Sequence, residues 1–514
     1  MKRLACILIL SLAALTAGAQ VYVATDKSCY VAGDRIWCSL FSAPGPAVAY
    51  LELRSSEGTA ARARIALEQG RGGGSVQIPA VTPTGNYRLA AYTEGSEPAG
   101  PVLSVFNTLG TARVKGGVEI AGDGEALPAP KDIQTGYGFS VSDSGSLELR
   151  NTSGAPVSFC VSLYREDSLP APAYRSISGF VPGSPATQEE GEVLCARLAG
   201  ADADAVADYA DTNTPGLRAL LAAPGTGDNC YSAVKDPDGL FRFRTDNIYG
   251  DCDVVCMLED VDPASDCHLE LVSPFRYPAP SDLPVLRLYR GSAPDLERRT
   301  AAMLHGVSSD TLAVTLPMHR SHFLLEHECI SYILDDYVRF PTMEEVFVEI
   351  TPNVKMRKRK GVTHVYVLLQ TPVSESVPQW GEALAMIDGV PVPDQSLIRT
   401  YDPAIVKVVE VYPYRYNFGG SIHGGVLNLV TFKGNMPGVL FDDNVRIYGF
   451  EGCSWPEEHR GGETLYWHPL LTLGPGESLT LPSEGMEPGV RYVLCAEGLA
   501  DGVRPVHLRK SFVR

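Results

Sequence analysis

Few residues in the sequence combine types and spacing that could do chemistry, and the clearest nucleophile candidate is incomplete. Ser421 lies in the stretch Gly419-Gly420-Ser421-Ile422-His423. A Gly-x-Ser-x-Gly hydrolase needs glycine two residues after the serine, so that strand and helix can approach closely at the nucleophile. His423 stands in that place, so this type of hydrolase is not predicted. A hydrolase whose catalytic residues converge from distant segments stays open, since triads are recognised by geometry.

The histidines and glycines also lack the spacing of a metal or phosphate site. His319, His322 and His327-Glu328-Cys329 cluster, yet no histidine follows His327 four residues later, as the HExxH zinc helix needs. The sequence contains no Gly-x-x-x-x-Gly-Lys-Ser/Thr stretch and no spaced dinucleotide-type glycine pattern. We therefore predict no catalytic residue, no metal and no cofactor.

One short run reverses the charge of its surroundings and is the candidate contact for an anionic partner. Five cations lie within six residues: Lys355, Arg357, Lys358, Arg359 and Lys360. Such a run could dock an anionic lipid A headgroup or an acidic partner protein. The alternative is a solvated hairpin end between Ile350 and Val365.

Composition limits the classes of function that the chain can serve. The 43 Lys and Arg residues against 61 Asp and Glu give a formal net charge of −18, which repels phosphate backbones and argues against nucleic-acid binding. Fifty glycines and 38 prolines in 514 residues are typical of many short strands joined by tight turns. At roughly 100 to 200 residues per domain, we expect several modules.

The N-terminus carries the features of an export signal. Lys2 and Arg3 precede an apolar run from Leu4 to Leu15, and Ala17-Gly18-Ala19 supplies the small residues that a signal peptidase reads. We expect cleavage after Ala19. Because no later stretch reaches the ~18 consecutive apolar residues of a spanning helix, we expect an exported protein that is soluble or peripheral to a membrane.

Eleven cysteines remain beyond the predicted signal, and their odd number leaves at least one unpaired thiol. Export permits disulfides. The candidates are Cys29 with Cys38, or pairs drawn from Cys230, Cys252, Cys256 and Cys267. A zinc site at Cys252, Cys256 and Cys267-His268 is a weaker alternative because the spacing is not that of a zinc knuckle. Many of the cysteines could instead be free, buried, small apolar residues.

Apolar and polar residues alternate along most of the chain, as in half-buried strands. The stretches 35–40, 49–53 and 87–92 show this pattern, with turns at Ala32-Gly33-Asp34 and Thr84-Gly85-Asn86. Between about 276 and 350 the period changes, and 295–304 and 343–350 are compatible with helix. Thr342 and Glu345 have the spacing of a capping box for the second stretch. A plain hairpin turn is expected at Asp236-Pro237-Asp238-Gly239, since the loop lacks the further oxygens of a calcium site.

Two groups of sequence motifs resemble known domains. Thr25-Asp26-Lys27 with Ile36-Trp37, and Pro83-Thr84-Gly85-Asn86-Tyr87, resemble the macroglobulin-type MG2 domain of exported bacterial proteins. The Gly-Cys-Gly-Glu-Gln-like word of thioester macroglobulins is missing, so covalent protease trapping is not predicted. Further along, Ile387-Asp388-Gly389-Val390-Pro391-Val392, then the strand 405–412, then Gly424 to Thr431 resemble, in the same order, the plug of TonB-dependent outer-membrane receptors.

The order of these segments is similar to a Bacteroidetes exported family with an N-terminal MG2 domain and a plug-like domain that lacks the barrel. The turn at 236–243 resembles carboxypeptidase-regulatory-like sandwiches. The fold class expected is therefore mainly β: tandem β-sandwich (macroglobulin/Ig-like) domains plus a small α+β plug-like domain. The expected division is 1–19 signal peptide, 20–115 MG2-like sandwich, 116–188 second β segment and linker, 189–275 regulatory-like sandwich, 276–350 partly helical connector, 351–434 plug-like domain and 435–514 C-terminal β-sandwich.

The export signal and the modular β organisation without a catalytic set predict a non-enzymatic protein that acts through protein contacts, and the resemblance implies a Gram-negative periplasm, outer membrane or cell surface. We expect an outer-membrane or periplasmic protein as the partner, reached by strand addition or loops, with peripheral membrane association and no nucleic acid. About 80 residues follow the plug-like region, far fewer than a receptor barrel needs, so no complete transporter is expected. The main alternative is a surface glycan or peptide binding module that uses Trp455, Tyr466 and Trp467 as stacking platforms.

Overall fold

The computed structural model describes residues 21–122, 125, 133–143, 146–183, 191–213, 216–225, 229–262, 264–313, 328–370, 380–419 and 421–514. The predicted signal peptide, His319, His322 and His327 lie outside these residues, as does part of the predicted linker. The described chain is mainly β-strand, which confirms the predicted fold class. None of its helices is long and apolar enough to cross a membrane.

The strands are two to ten residues long. Those before residue 170 are β1 (Tyr22–Thr25), β2 (Cys29–Val31), β3 (Arg35–Phe41), β4 (Val48–Ser55), β5 (Gly58–Ala66), β6 (Arg71–Gln77), β7 (Gly85–Tyr92), β8 (Val102–Phe106), β9 (Val118–Ile120), β10 (Gln134–Tyr137), β11 (Phe139–Asp143), β12 (Leu147–Asn151) and β13 (Val157–Arg165). Those between 190 and 340 are β14 (Val193–Ala199), β15 (Arg218–Ala222), β16 (Cys230–Val234), β17 (Leu240–Arg244), β18 (Asp251–Leu258), β19 (His268–Leu271), β20 (Leu286–Leu288) and β21 (Ile330–Ile333).

The remaining strands begin at residue 354. They are β22 (Val354–Arg359), β23 (Val362–Leu368), β24 (Trp380–Glu382), β25 (Leu384–Ile387), β26 (Val390–Pro391), β27 (Val406–Tyr412), β28 (Tyr416–Phe418), β29 (Ser421–His423), β30 (Val426–Thr431), β31 (Arg446–Glu451), β32 (Cys453–Ser454), β33 (His459–Arg460), β34 (Thr464–Leu473), β35 (Ser478–Leu481), β36 (Arg491–Ala500) and β37 (Arg504–Val513).

In the part of the chain that the structure describes, four α-helices accompany the strands: α1 (Ala203–Asn213), α2 (Ala293–Ala313), α3 (Met343–Glu349) and α4 (Ser396–Thr400). Single 3₁₀ turns lie at Ile177–Gly179, Arg290–Ser292, Leu334–Asp336 and Pro403–Ile405. The helices α2 and α3 confirm the two helical stretches predicted from periodicity. At the start of α3, the Thr342 hydroxyl accepts a hydrogen bond from the Glu345 amide, as the capping-box spacing predicted.

The chain forms two compact units. The first contains residues up to 191, 274–314 and 452–514, and the second contains 192–273 and 315–451. The first unit begins with a two-layer sandwich whose sheets have the strand orders β1-β3-β6 and β2-β8-β7-β4-β5-β32. Between the layers, Ile36 and Leu40 of β3 pack with Leu51 and Leu53 of β4 as fully buried side chains. Burial of these alternate residues explains the period-two pattern in the sequence.

A second sandwich in the same unit joins segments that are far apart in the sequence. Its sheets have the orders β10-β37-β36-β13-β34-β33 and β11-β12-β35. The predicted division placed β11 to β13 in a second β segment and β33 to β37 in a C-terminal sandwich, but β13 pairs with both β34 and β36. The Asn151 amide reaches the Leu473 carbonyl across 322 residues of sequence. Because of this pairing, neither segment forms a sandwich alone. The alternation of apolar and polar residues within a strand does not reveal which distant strand pairs with it.

The second unit also starts with a sandwich. The sheet β17-β14-β19 packs on the sheet β16-β15-β18-β31, and Phe241, Phe243, Leu221 and Val254 fill the space between them. The strand β31, predicted as part of a C-terminal sandwich, pairs antiparallel with β18 instead. Residues 435–514 therefore supply strands to three different sandwiches or sheets, a correction that follows from their long-range pairing.

The remainder of the second unit is an α+β layer structure. A five-stranded sheet has the order β21-β27-β30-β25-β26, in which β30 pairs antiparallel with β27 and parallel with β25. The three-stranded sheet β22-β23-β24 and the helices α3 and α4 pack on one core with it, in which Met386, Val409 and Leu429 are fully buried. This region contains the predicted basic run.

The candidate disulfide pairs do not form. Cys29, Cys38, Cys230, Cys252, Cys256 and Cys267 are all free thiols. Cys29 lies on β2 and Cys38 on β3, in different sheets of the first sandwich. Cys38, Cys256 and Cys267 are fully buried, so these residues act as small apolar core residues, the alternative that the sequence left open.

Candidate interaction surface

The predicted basic run forms the outer half of a β-hairpin. Strands β22 and β23 pair from Val354 with Val367 out to Arg359 with Val362. Lys360 and Gly361 make the two-residue turn, with φ angles of 50° and 89°. Positive φ at both positions is the geometry of a type I′ turn, whose twist matches that of the flanking strands. Gly361 takes this conformation without the cost that a side chain would add.

The hairpin has one apolar face at its base and cations along the rest. Val354, Val365 and Val367 point into the core of the second unit. Because side chains alternate along a strand, Lys355, Arg357 and Arg359 lie on the opposite face and Lys358 on the same face as the valines. Beyond the core, residues 357–362 are all exposed. The structure thus brings the five predicted cations together on one projecting element.

Two residues that the sequence analysis missed complete the outer face of this hairpin. The Lys355 ammonium group lies 3.4 Å from the centroid of the Trp380 ring, within cation–π range. Next to it, His364 Nδ1 lies 2.8 Å from Glu382 Oε1. Partial burial and the neighbouring charge of Arg357 lower the pKa of Lys355. Trp380 and Glu382 belong to β24. No turn motif in the sequence indicates that β24 pairs with β23.

The base of the hairpin is hydrogen-bonded to the adjoining chain. The Val365 amide donates to Gln395 Oε1 at 2.6 Å, and Gln395 Nε2 donates to the Ala383 carbonyl at 3.0 Å. The Ala383 amide in turn donates to the Val365 carbonyl at 2.9 Å. These contacts fix the direction in which the cationic half projects.

A buried polar network lies beneath, in the five-stranded sheet. Asp388 accepts hydrogen bonds from the amides of Thr431 and Met436 and from the Thr431 hydroxyl. Asn428 accepts from the Gly389 amide at 3.0 Å and donates to Glu410 at 3.0 Å. The side chains of Asp388, Glu410, Asn428 and Thr431 come from the three plug-like sequence motifs, and all are buried. Their satisfied hydrogen bonds and lack of solvent access make them a structural support rather than a reaction centre.

The aromatic residues considered for glycan stacking are mostly inaccessible. Trp467 is 1% exposed and Tyr466 is 5% exposed, while Trp455 is 46% exposed. Tyr466 packs in the second sandwich of the first unit, and Trp467 packs with Cys160 and Leu499. Two of the three predicted stacking platforms are therefore core residues: these neighbouring side chains point to opposite faces of β34, and both faces are covered.

The candidate calcium turn and the candidate nucleophile Ser421 both interact with arginine side chains of the same chain. Arg242 pairs with Asp236 and Asp238 at 2.5 and 2.6 Å, so an internal guanidinium takes the carboxylates of the turn that calcium would need. Ser421 Oγ accepts a hydrogen bond from Arg218 at 3.4 Å, and burial lowers the pKa of His423. Within the described ranges, no group of three or more His, Cys, Asp or Glu residues is placed to hold a metal ion.

No protein-family model matches the chain, and comparison with the curated proteins finds no similar sequence. Among solved structures, the native conformation of E. coli alpha-2-macroglobulin is 9% identical at a TM-score of 0.24, over 97% of this chain and 40% of that one. Salmonella alpha-2-macroglobulin reacted with methylamine is 8% identical at a TM-score of 0.16, over 96% of this chain and 23% of that one.

A tetra-tandem repeat from the extending region of a large adhesion protein is 8% identical at a TM-score of 0.14, over 96% of this chain and 99% of that one. The chain thus spans less than half the length of these macroglobulins. Structural similarity at such low TM-scores does not support any inference about the mechanism of this chain.

Proposed function

We propose that this chain is a non-enzymatic, exported protein of a Gram-negative cell envelope, and that it acts by binding an outer-membrane or periplasmic protein. In this proposal the contacting element is the hairpin of β22 and β23 within residues 351–434, the region that resembles the plug of TonB-dependent outer-membrane receptors. The observation that carries the proposal is the projecting hairpin of β22 and β23, with its five cations in a chain of net charge −18.

The form of the hairpin favours a protein partner over a lipid surface. A membrane-binding surface places its cations on one side, with aromatic residues at headgroup level. Here Lys358 and Arg359 point to opposite faces of the hairpin, and Trp380 lies near its base under Lys355. Val362 adds an exposed apolar side chain next to the tip, 54% accessible. An acidic groove on a protein can contact both faces and the tip together.

The absence of an enzymatic role is part of the same proposal. The buried acids Asp388 and Glu410 are engaged in structural hydrogen bonds, and Ser421 is bonded to Arg218. The signal-like N-terminus supports export, and acidic composition supports the exclusion of nucleic acid as partner.

Reversal of charge in the hairpin tests the proposal. The double substitution Lys358→Glu with Arg359→Glu alters two exposed residues and should leave the fold intact. In the native host, chemical crosslinks from the second unit to an envelope protein should disappear. The matched control, Lys407→Glu with Lys433→Glu, makes the same charge change at exposed positions outside the hairpin and should keep the crosslinks.

Two results would contradict the proposal. One is an unchanged crosslink pattern in the hairpin variant. The other is binding of the purified protein to anionic phospholipid vesicles that the hairpin substitutions abolish while no protein crosslink is found, because the surface would then serve a membrane.

A further inference from the structure

A second binding feature of the second unit is a cavity of about 670 Å³. Its volume lies within the range of roughly 300 to 1,000 Å³ that ligand-binding clefts occupy. The lining comes from the end of β18, from β24 and β25, from the chain between β26 and α4, from β29, and from residues 440–445. All of these segments belong to the same compact unit.

The floor of this cavity is apolar. Leu220 and Met257 contribute from the sandwich sheet, and Ala383, Leu384 and Val392 contribute from the adjoining α+β region. These five residues are buried in the core of the second unit. At the rim, Leu440 and Ile422 are 85% and 74% exposed. An apolar side chain on this floor would therefore gain contacts on several sides.

The rim is acidic, although the Arg218 guanidinium lies beside it and donates a hydrogen bond to Ser421 Oγ. Its carboxylates belong to Glu259, Asp260, Glu382, Asp394 and Asp442, and none of the lining residues is Lys or Arg. Glu382 pairs with His364, and Asp394 accepts from the Ser396 amide and hydroxyl. For Glu259, Asp260 and Asp442 the part of the chain that the structure describes offers no ion pair. Burial raises the pKa of Glu259, and the nearby charge of Arg218 partly opposes this shift.

We propose that this cavity binds a basic peptide segment of a partner protein, in which an apolar side chain is flanked by Lys or Arg. The apolar side chain sits on the floor, and the flanking cations face Glu259 and Asp260 on one side and Asp442 on another. Charge complementarity selects this occupant: an acidic or neutral peptide would leave the carboxylates of Asp260 and Asp442 without a positive partner. The site adjoins the base of the basic hairpin through Glu382 and Gln395. Its proposed charge contacts, Glu259, Asp260 and Asp442, lie outside the hairpin, so the inference stands whether or not the hairpin has a partner.

A fluorescent peptide with the sequence Gly-Lys-Leu-Arg-Gly tests this inference on the full chain. The peptide should bind, and its affinity should fall as salt rises from about 0.05 to 0.5 M because the rim charges become screened. The peptide Gly-Glu-Leu-Asp-Gly has the same apolar centre and should not bind. The substitution Leu440→Ser at the apolar rim should weaken binding severalfold without unfolding, since this side chain is exposed.

Paired variants separate a local site from general attraction to an acidic protein. Glu259→Gln with Asp260→Asn should weaken binding of the basic peptide about tenfold. Asp251→Asn with Asp253→Asn removes the same charge from exposed positions of β18 that do not line the cavity, and should leave the affinity unchanged. Hydrogen exchange should show protection of residues 391–397 and 421–423 when the peptide is bound.

Three outcomes would overturn the inference. Equal weakening by both pairs of substitutions would show non-specific charge attraction. Equal binding of the basic and acidic peptides would show that the rim does not select. A salt-sensitive dimer in which these segments are already protected would make a second copy of the chain the occupant. None of these results bears on the hairpin, whose crosslinks are measured separately.

Discussion

The Asp388 carboxylate accepts hydrogen bonds from both the amide and the hydroxyl of Thr431, at 2.7 and 2.6 Å, although 43 residues separate the two in sequence. Asp388 has a positive φ of 49°, in the turn that follows β25. Its carboxylate holds that turn against the end of β30 and also accepts from the Met436 amide. These hydrogen bonds explain why an Ile-Asp-Gly motif and a Val-Thr motif occur together: the aspartate of the first accepts hydrogen bonds that the threonine of the second donates.

Loss of this carboxylate should destabilise the second unit. We expect Asp388→Ala to lower the free energy of unfolding by about 2 to 4 kcal/mol, because three buried donors lose their acceptor. Hydrogen exchange of the strands β25 and β30 during urea titration would measure the change. Asp253→Ala, at an exposed position of β18, is the control and should remain within about 0.5 kcal/mol of the parent. A similarly small effect for Asp388→Ala would show that the network does not support the sheet.

The sequence predicted the local features of this region and missed the long-range ones. The alternation around residues 385–392 and 405–412 gave the strands, and the basic run gave the hairpin end. The pairing of β24 with β23, which places Trp380 under Lys355, has no local signature. The acidic cavity was missed for the same reason, since Glu259 and Asp394 come together only when two sheets pack.

The same limit explains the incorrect domain division. Period-two alternation reports that a strand has a buried face, but not which strand pairs with it. The strands β31 and β34 both lie in the predicted C-terminal sandwich, yet β31 joins the second unit and β34 the first. Trp467 was misread for a related reason: an aromatic residue on a strand is exposed or buried according to the sheet that covers it.

Stability of the first unit should depend on the protonation of Glu497. This carboxylate is 4% exposed and accepts from the Tyr22 hydroxyl at 2.8 Å, from the Tyr174 hydroxyl and from the Ile177 amide at 3.1 Å. Burial is the largest influence and raises the pKa of Glu497 in the folded protein. Its favourable contribution is therefore complete below the unfolded-state pKa of about 4.3 and is lost as pH rises through the folded-state value.

Glu497→Gln removes this titration. The stability of the variant relative to the parent should therefore improve as pH rises from about 4 to 8, as measured by urea unfolding at each pH. Glu484→Gln, at an exposed position of the same unit, should show no such trend. A constant difference between parent and Glu497→Gln at every pH would refute a raised pKa in the folded state.

The buried tryptophan and the exposed one should respond differently to truncation. Trp467→Ala should destabilise the first unit by about 3 to 5 kcal/mol because it opens a cavity at a fully buried site. Trp455→Ala should cost less than about 1 kcal/mol. Thermal unfolding measures both. Glycan binding that fails in a folded Trp467→Ala protein, while Trp455→Ala binds normally, would conflict with the buried position.

The free thiols predict that reducing agents have no effect on stability. Burial raises the pKa of the Cys29 thiol to about 12, and Cys38 is fully buried. Both should react slowly with a thiol reagent in the native protein and rapidly in denaturant. The urea midpoint should be the same with and without dithiothreitol. A midpoint that falls on reduction would reveal a disulfide.

The most direct measurement of the central claim is site-specific photo-crosslinking from position 358 in the native host, followed by mass spectrometry. The hairpin places this side chain in solvent, on an element fixed at its base by Gln395. We expect a reproducible crosslink to one outer-membrane or periplasmic protein, and we expect it to be absent when the photo-reactive residue is placed at 407 instead. Crosslinks only within the chain, or the same products from both positions, would contradict a role in which this hairpin contacts an envelope partner.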